Sequence, residues 1–301
     1  MSCTELSDKI KLNYKAIFDY SIKFWSAVAF IAGMFGWEGL PDSLKFINSC
    51  VIYKIIFLLL VWMLILIIVV VYVCYFLKNN TIWKNGSGEI SIEYNDLFKI
   101  AGNVKHRSDK YILAIPVNDA FDIIVDENIS NVEYPLVSSN TLHGLWLKYM
   151  YRVGSSKEDI EKKIELSLKN IIPVNEYTRQ EKTRGNLKSY SIGTVASISD
   201  LNGVNYYLLS ISKFDFHNTA HSSPSNIQLA VNRLIEYYNV HGQGYDLYIP
   251  VMGAGLSRSD LTKKEALQVI KSTLLANQKN IYGKIHIVIY EKDKNEISIF
   301  D

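Results

Sequence analysis

Residues 249–258 read IPVMGAGLSR and hold the most chemical information in the chain. Gly253 and Gly255 allow a sharp turn and a close backbone approach to a ligand, with no Cβ in the way. Successive N–H groups in such a turn form an anion nest, strengthened by a nearby helix N-terminus. The expected ligand is a diphosphate; the competing reading is a structural loop. His143 stands in Leu142-His143-Gly144 at a predicted helix start, where it positions the helix, meets a ligand or packs as a core ring. His217 and His221 are four apart, a metal-binding spacing on a helix. Residues 218–224 read as loop, however, and no cysteine or third ligand is near, so no metal site is expected. There is no phosphate loop ending in Gly-Lys-Ser/Thr, no GxSxG elbow and no HExxH motif. No catalytic residue is expected.

The elements that must position these residues alternate. Residues 89–94 (EISIEY) have strand periodicity. Residues 110–117 (KYILAIPV) are apolar nearly throughout, as in a strand buried on both faces. Helical spacing covers 140–151 and 157–170. Strands are expected at 191–198 and 205–211, joined by an Asn202-Gly203 turn. Ser223-Pro224 opens a helix to about Val240. Residues 246–251 read as a strand, and Thr262 with Glu265 caps a helix to about Asn277. Strands at 284–290 and 296–300 complete a three-layer α/β/α domain with a mixed sheet.

The 301-residue chain carries 32 basic and 30 acidic side chains, net +2. That balance excludes a strongly basic nucleic-acid binder and an acidic disordered tail. Its cysteines, Cys3, Cys50 and Cys74, cannot build a disulfide framework. Residues 55–77 contain no charge, enough to cross a hydrocarbon core of about 30 Å. Residues 24–37 are also uncharged but short for a span: they form a re-entrant or interfacial helix, or extend to a span of about 17–37 if Lys23 snorkels and Asp19 is tolerated. Lys9, Lys11, Lys15 and Lys23 precede the first stretch, and Lys78 and Lys84 follow the second. The positive-inside rule puts both flanks in the cytoplasm and the Gly39-Leu40-Pro41-Asp42 turn outside. The expected organisation is residues 1–80 with two transmembrane helices (about 17–37 and 54–77), a linker at 81–88, and a folded domain at 89–301. The location is an inner or plasma membrane, multi-pass, with the C-terminal domain cytoplasmic.

An ordered set of segments carries a resemblance. Glu93-Tyr94-Asn95-Asp96-Leu97-Phe98 ends one strand, and Ile115-Pro116-Val117-Asn118-Asp119-Ala120-Phe121-Asp122 ends another. Ser139 to Gly144 opens a helix, Gly193-Thr194 begins a strand, and IPVMGAGLSR precedes the last helix. Residues 88–301 thereby resemble the macro domain, an α/β/α module that binds ADP-ribose. A membrane hairpin before such a domain resembles the membrane effector of type II Thoeris, a bacterial anti-phage system.

The resemblance implies a macro-like fold and a set of ligand contacts. Asp96 accepts from the adenine amino group, as an acceptor-only carboxylate can, and Leu97 and Phe98 follow it; a helix cap is the alternative. Asn118 lies near the distal ribose or forms an Asx turn, Phe121 stacks near the ribose or packs in the core, and Asp122 follows. Gly253, Ala254, Gly255, Leu256 and Ser257 take the diphosphate; Arg258 pairs with phosphate or is solvated. His143 completes the set. Catalytic macro domains carry an Asn-Ala-Ala-Asn run and a glycine-rich loop, whereas residues 118–143 contain no glycine. That favours a reader over an enzyme. The implied ligand is an ADP-ribose-derived signalling nucleotide of the histidine–ADP-ribose type, made by a partner TIR-domain enzyme. The implied partners are the lipid bilayer and, on activation, further copies of the chain, with no nucleic acid. No cofactor is implied. The alternatives are a membrane-anchored ADP-ribosyl hydrolase and an anchored receptor that does no membrane damage.

Overall fold

The computed structural model describes residues 3–35, 51–102, 110–215, 218–255 and 259–301. The chain divides into two compact units, with the boundary between Lys78 and Asn79.

In the first unit, helix α1 covers Cys3–Phe35 and helix α2 covers Val51–Val71, which runs on through a π-helical turn at Tyr72–Phe76. Ala16 and Ile17 of α1 are buried with Ile65 and Val69 of α2 and Val73 of the π turn. Among the described residues, Val51–Phe76 is the one helix long and apolar enough to cross a membrane, with mean hydropathy 3.4 over 18 residues. Helix α1 does not qualify: its uncharged stretch, 24–35, is short, and Asp19 and Lys23 interrupt the apolar residues before it. The expected span at about 17–37 is therefore not recovered as a second crossing. Its last residues, and the expected turn at 39–42, lie outside the described residues.

The second unit begins at once with strand β1 (Asn79–Asn85), paired antiparallel with β2 (Gly88–Asn95). The expected linker at 81–88 is thus a strand and its turn. Only Ile82 and Trp83 are apolar in NNTIWKN, and a register shift falls between Thr81 and Trp83, so no alternation is visible in the sequence. The remaining elements are α3 (Leu97–Gly102), β3 (Tyr111–Asn118), β4 (Val125–Asp126), β5 (Val137–Ser138), α4 (Leu142–Arg152) and α5 (Lys157–Leu168). They continue with β6 (Asn175–Glu176), β7 (Lys188–Ser189), β8 (Val195–Ser199), β9 (Asn205–Phe214) and β10 (Ala220–His221). Helix α6 (Pro224–His241), β11 (Asp246–Pro250), α7 (Lys263–Ala276) and β12 (Lys284–Tyr290) complete the unit.

The main sheet runs β1-β2-β12-β11-β3-β9-β10, with β8 also on β9. Strands β2, β12, β11, β3 and β9 are mutually parallel, and β1, β8 and β10 are antiparallel edges. Residue alternation separates the faces. Leu113, Ile115 and Val117 pack with Trp146, Leu147 and Met150 of α4 and Ile160 and Ile164 of α5. On the other face, α6 meets β9 where the rings of Tyr207 and Tyr237 cross at 5.1 Å. The expected three-layer α/β/α macro fold with a mixed sheet is the observed one. Thr262 and Glu265 form the capping box of α7, and Ser223 with Pro224 starts α6. The expected strand at 296–300 is absent: Ser298 N bonds the Asp301 carboxylate and Asp301 N bonds Ser298 O, so this backbone closes on itself.

Candidate functional site

Because the central strands are parallel, their carboxyl ends share one end of the sheet. Asp96 follows β2, the glycine loop follows β11, Asn118 closes β3 and Asp215 follows β9. The β11–β3 ladder stops at Tyr248↔Leu113, while β11 stays with β12 to Pro250 and β3 stays with β9 to Asn118. The two middle strands part there. Such a parting at the carboxyl ends of an α/β sheet leaves a crevice for a ligand.

Asp96 is half-buried on the rim. Its Oδ1 accepts the Phe98 amide at 2.9 Å, which caps the short helix α3. The capping role foreseen as an alternative is thus present. Leu97 is buried in the core, and the Phe98 ring lies 5.6 Å from that of Tyr149.

Asn118 is buried, and its side chain is fully engaged by its own loop. Oδ1 accepts from the amides of Ala120 and Asp122, and Nδ2 donates to Asp122 Oδ2. This is an Asx turn, the other reading of Asn118. Phe121 adopts φ 52°, is 1% exposed and packs edge-on against Tyr190 at 5.7 Å. Phe121 is a core ring, not a ring open to a ribose. The Asp122 carboxylate is fully buried and accepts from the Asn186 amide at 2.6 Å and from Lys182 Nζ at 3.4 Å. Burial raises its pKa, against the Lys182 charge. Arg184 forks onto Asp126 at 2.8 and 3.2 Å. Residues 177–189 are in this way fastened over the end of β3.

His143 is buried, 6.1 Å from the Trp146 ring, and burial pushes its pKa down to about 3. It is a neutral packed ring. Gly253 takes φ +100°, and a Cβ there would meet Ile227 Cδ1 at 2.1 Å. A Cβ on Gly255 would meet nothing within 4 Å. The expected contacts Leu256, Ser257 and Arg258 lie outside the described residues, as does His217. His221 lies on β10, not on a helix, with Nε2 2.9 Å from Asp215 Oδ2.

Residues 90–290 match the family described as Thoeris protein ThsA, Macro domain. The chain belongs to the Thoeris ThsA macro-domain family. Among curated protein sequences none matches at a significant level. Among solved structures the chain is similar to the Oceanobacillus iheyensis macrodomain with ADP (9% identity, TM-score 0.44, 73% of this chain and 93% of that one). It is also similar to the macrodomain of Mycobacterium tuberculosis DarG (14%, 0.37, 65% and 96%). A third similar structure is the Trypanosoma brucei macrodomain in complex with ADP-ribose (8%, 0.37, 68% and 65%).

In this macro domain, sequence reasoning passed over Asp119, which lies between two residues it selected. Asp119 is 7% exposed; burial raises its carboxyl to about 6, with Phe214 N on Oδ1 at 3.2 Å opposing the shift. It also passed over Lys182 and Asn186. The visible signal was the run of Arg179, Lys182 and Arg184 in a segment with no periodicity, beside Asp119, Asp122 and Asp126 in another.

Proposed function

We propose that this chain is an effector of Thoeris anti-phage defence whose macro domain reads an ADP-ribose-derived messenger. The observation that carries the reading is the parting of β11 and β3, with Asp96, the Asn118 loop and the Gly253–Gly255 backbone around it. Family membership supplies the ligand class. Adenine lies at Asp96 beside Phe98, the diphosphate at residues 253–258, and the distal ribose at the end of β3. Asn118, Phe121, Asp122 and His143 act beneath the ligand by holding the loops that meet it.

The messenger is of the histidine–ADP-ribose type, made by a partner TIR-domain enzyme. Binding favours an assembled state over a separate one, without which nothing switches. The apolar residues 55–76 insert in the plasma or inner membrane, with the macro domain in the cytoplasm. Assembly then perturbs the bilayer and stops the infected cell.

Asp119 favours a second reading, a membrane-anchored ADP-ribosyl hydrolase. A carboxyl held at about 6 is suited to moving protons near neutral pH. Calorimetry with ADP-ribose on the full-length protein in detergent tests the first reading: saturable binding supports it and no binding ends it. Release of ADP-ribose from a modified protein substrate would establish the second.

A further inference from the structure

Asp96 is the last member of a bonded row of side chains that begins inside the sheet. The register of the parallel strands puts Ser91 and Glu93 of β2, His286 of β12, and Asp246 and Tyr248 of β11 on one face. His286 lies at the centre of this group and is buried. Its ring stacks on Tyr248 at 4.5 Å, and Nδ1 is 2.8 Å from Ser91 Oγ. Two carboxylates flank it: Glu93 Oε2 lies 3.5 Å from Nδ1 and Asp246 Oδ2 lies 3.7 Å from Nε2. Lys284 Nζ is 3.9 Å from Asp246 Oδ2, and Glu89, whose charge also reaches the ring, is paired with Lys84 at 3.0 Å.

Glu93 carries the connection onward. While Oε2 faces His286, Oε1 accepts from Asn95 Nδ2 at 2.9 Å. Asn95 Oδ1 in turn accepts from the Asp96 amide at 2.9 Å, and Asp96 Oδ1 accepts from the Phe98 amide. Burial alone would raise the Glu93 carboxyl, but the bonds from His286 and Asn95 hold it below its ordinary value. Among the described residues Glu93 has no other cation at ion-pair distance, whereas Asp246 also has Lys284. A neutral ring would thus leave Glu93 partly buried beside Asp246 without its counter-charge. Glu93 would then turn toward water and release Asn95.

We propose that His286 is a positioning residue for the adenine carboxylate: its charged ring holds Glu93, Glu93 holds Asn95, and Asn95 fixes Asp96 where it accepts the adenine amino group. The proposal rests on the reading that adenine lies at Asp96. It links adenine recognition to a proton on a ring that the nucleotide never touches. Burial works against the charged ring, but Asp246 and Glu93 raise its pKa to about 9. The row is therefore set at neutral pH and comes apart as pH rises through about 9.

The test is calorimetry on the full-length protein in detergent, with ADP-ribose and its hypoxanthine analogue as probes. Hypoxanthine carries an oxygen where adenine carries its amino group. At pH 7 the native protein is expected to prefer ADP-ribose by about tenfold or more, the scale of one hydrogen bond to a charged group. Asn95→Ala keeps His286 and Glu93 but breaks the row beside Asp96, and is expected to cut that preference to about threefold or less. Native affinity for ADP-ribose is expected to weaken by about fivefold or more between pH 7 and 9.5, the scale of a modest coupling between two sites. His286→Gln is expected to bind weakly and evenly across that range. A preference kept by folded Asn95→Ala, or a native affinity that does not move with pH, overturns the positioning role, and Asn95→Ala decides the matter if His286→Gln does not fold. A native protein that binds both probes equally, or neither, overturns the underlying adenine assignment instead.

Discussion

The Asp122 carboxylate receives the backbone N–H of Asn186 at 2.6 Å, across 64 residues of chain. Asn186 in turn donates its side-chain amide to the carbonyls of Ala120 and Phe121. These bonds bind a segment without regular structure to the end of a core strand. Asp122→Ala would leave the Asn186 amide unmet and the Lys182 ammonium without its carboxylate in a buried place, with only the Asn186 carbonyl still accepting from it. A loss of about 3 kcal/mol in unfolding free energy is expected, as when one partner of a buried pair is removed. Urea denaturation of the native and variant proteins measures it; a loss under about 1 kcal/mol would mean the loop is held by other contacts.

The two glycines of the β11 loop separate folding from binding. Gly253→Ala forces a side chain into φ +100° and against Ile227. Its thermal midpoint is expected to fall, with a cost of about 1–3 kcal/mol. Gly255→Phe has open space at its Cβ. The expected outcome is an unchanged midpoint and lost ADP-ribose binding. Full binding by folded Gly255→Phe would remove the loop from the ligand path.

Asp96→Asn retains an oxygen to cap α3 but weakens the acceptor offered to an adenine amino group. Binding is expected to weaken by roughly 1.5–3 kcal/mol, the scale of a hydrogen bond to a charged group. Titration calorimetry reads the change, and unaltered affinity would place the adenine elsewhere.

His286 on β12 stacks on Tyr248 at 4.5 Å, with Ser91 Oγ 2.8 Å from Nδ1. Its Nε2 makes no hydrogen bond of normal geometry, but Asp246 lies 3.7 Å from Nε2 and Glu93 3.5 Å from Nδ1, both at ion-pair distance. Burial opposes the charged ring, yet the two carboxylates outweigh it and raise the pKa to about 9. A folded value above the unfolded one, about 6.5, stabilises the protein below that lower value. The gain is lost as pH rises through about 9. Over that window the unfolding free energy is expected to fall by about 2–3 kcal/mol. His286→Gln should flatten this slope in denaturation curves taken from pH 6 to 9.5; a slope unaltered by the substitution would refute the charged ring.

A chain beginning at Asn79 is expected to bind ADP-ribose with native affinity and to leave cell growth unaffected when a TIR partner is induced. Growth arrest by that shortened chain would reduce residues 1–78 to an anchor.

Much of the fold was legible because buried parallel strands and capped helices leave local marks. KYILAIPV and KIHIVIY are apolar runs, and Thr262 with Glu265 is a local signature. The edge strand Asn79–Asn85 was not legible, since its partner supplies the order that its own residues lack. Asp96 and the two glycines were correctly placed at the strand ends. Asn118, Phe121 and His143 were selected through the resemblance; in the structure all three are buried, and the loop that holds Asn118 and Phe121 is fastened by Asn186 far along the chain. Asp119 was missed for a related reason: burial, which the sequence does not display, raises its carboxyl, with the Phe214 amide and Lys182 opposing.

The register of β1 gives the domain a mechanical character. Asn79, the first residue after Lys78, sits opposite Glu93, at the same end of the sheet as Asp96. Strand β1 is the outermost rung of the sheet and is held by one ladder alone. Tension arriving through Lys78 is therefore carried first by the Asn79–Glu93 pair, then by Asn80–Ile92, in sequence. Load applied across the strand, not along it, would open this ladder pair by pair, beginning three residues of chain away from the proposed adenine carboxylate.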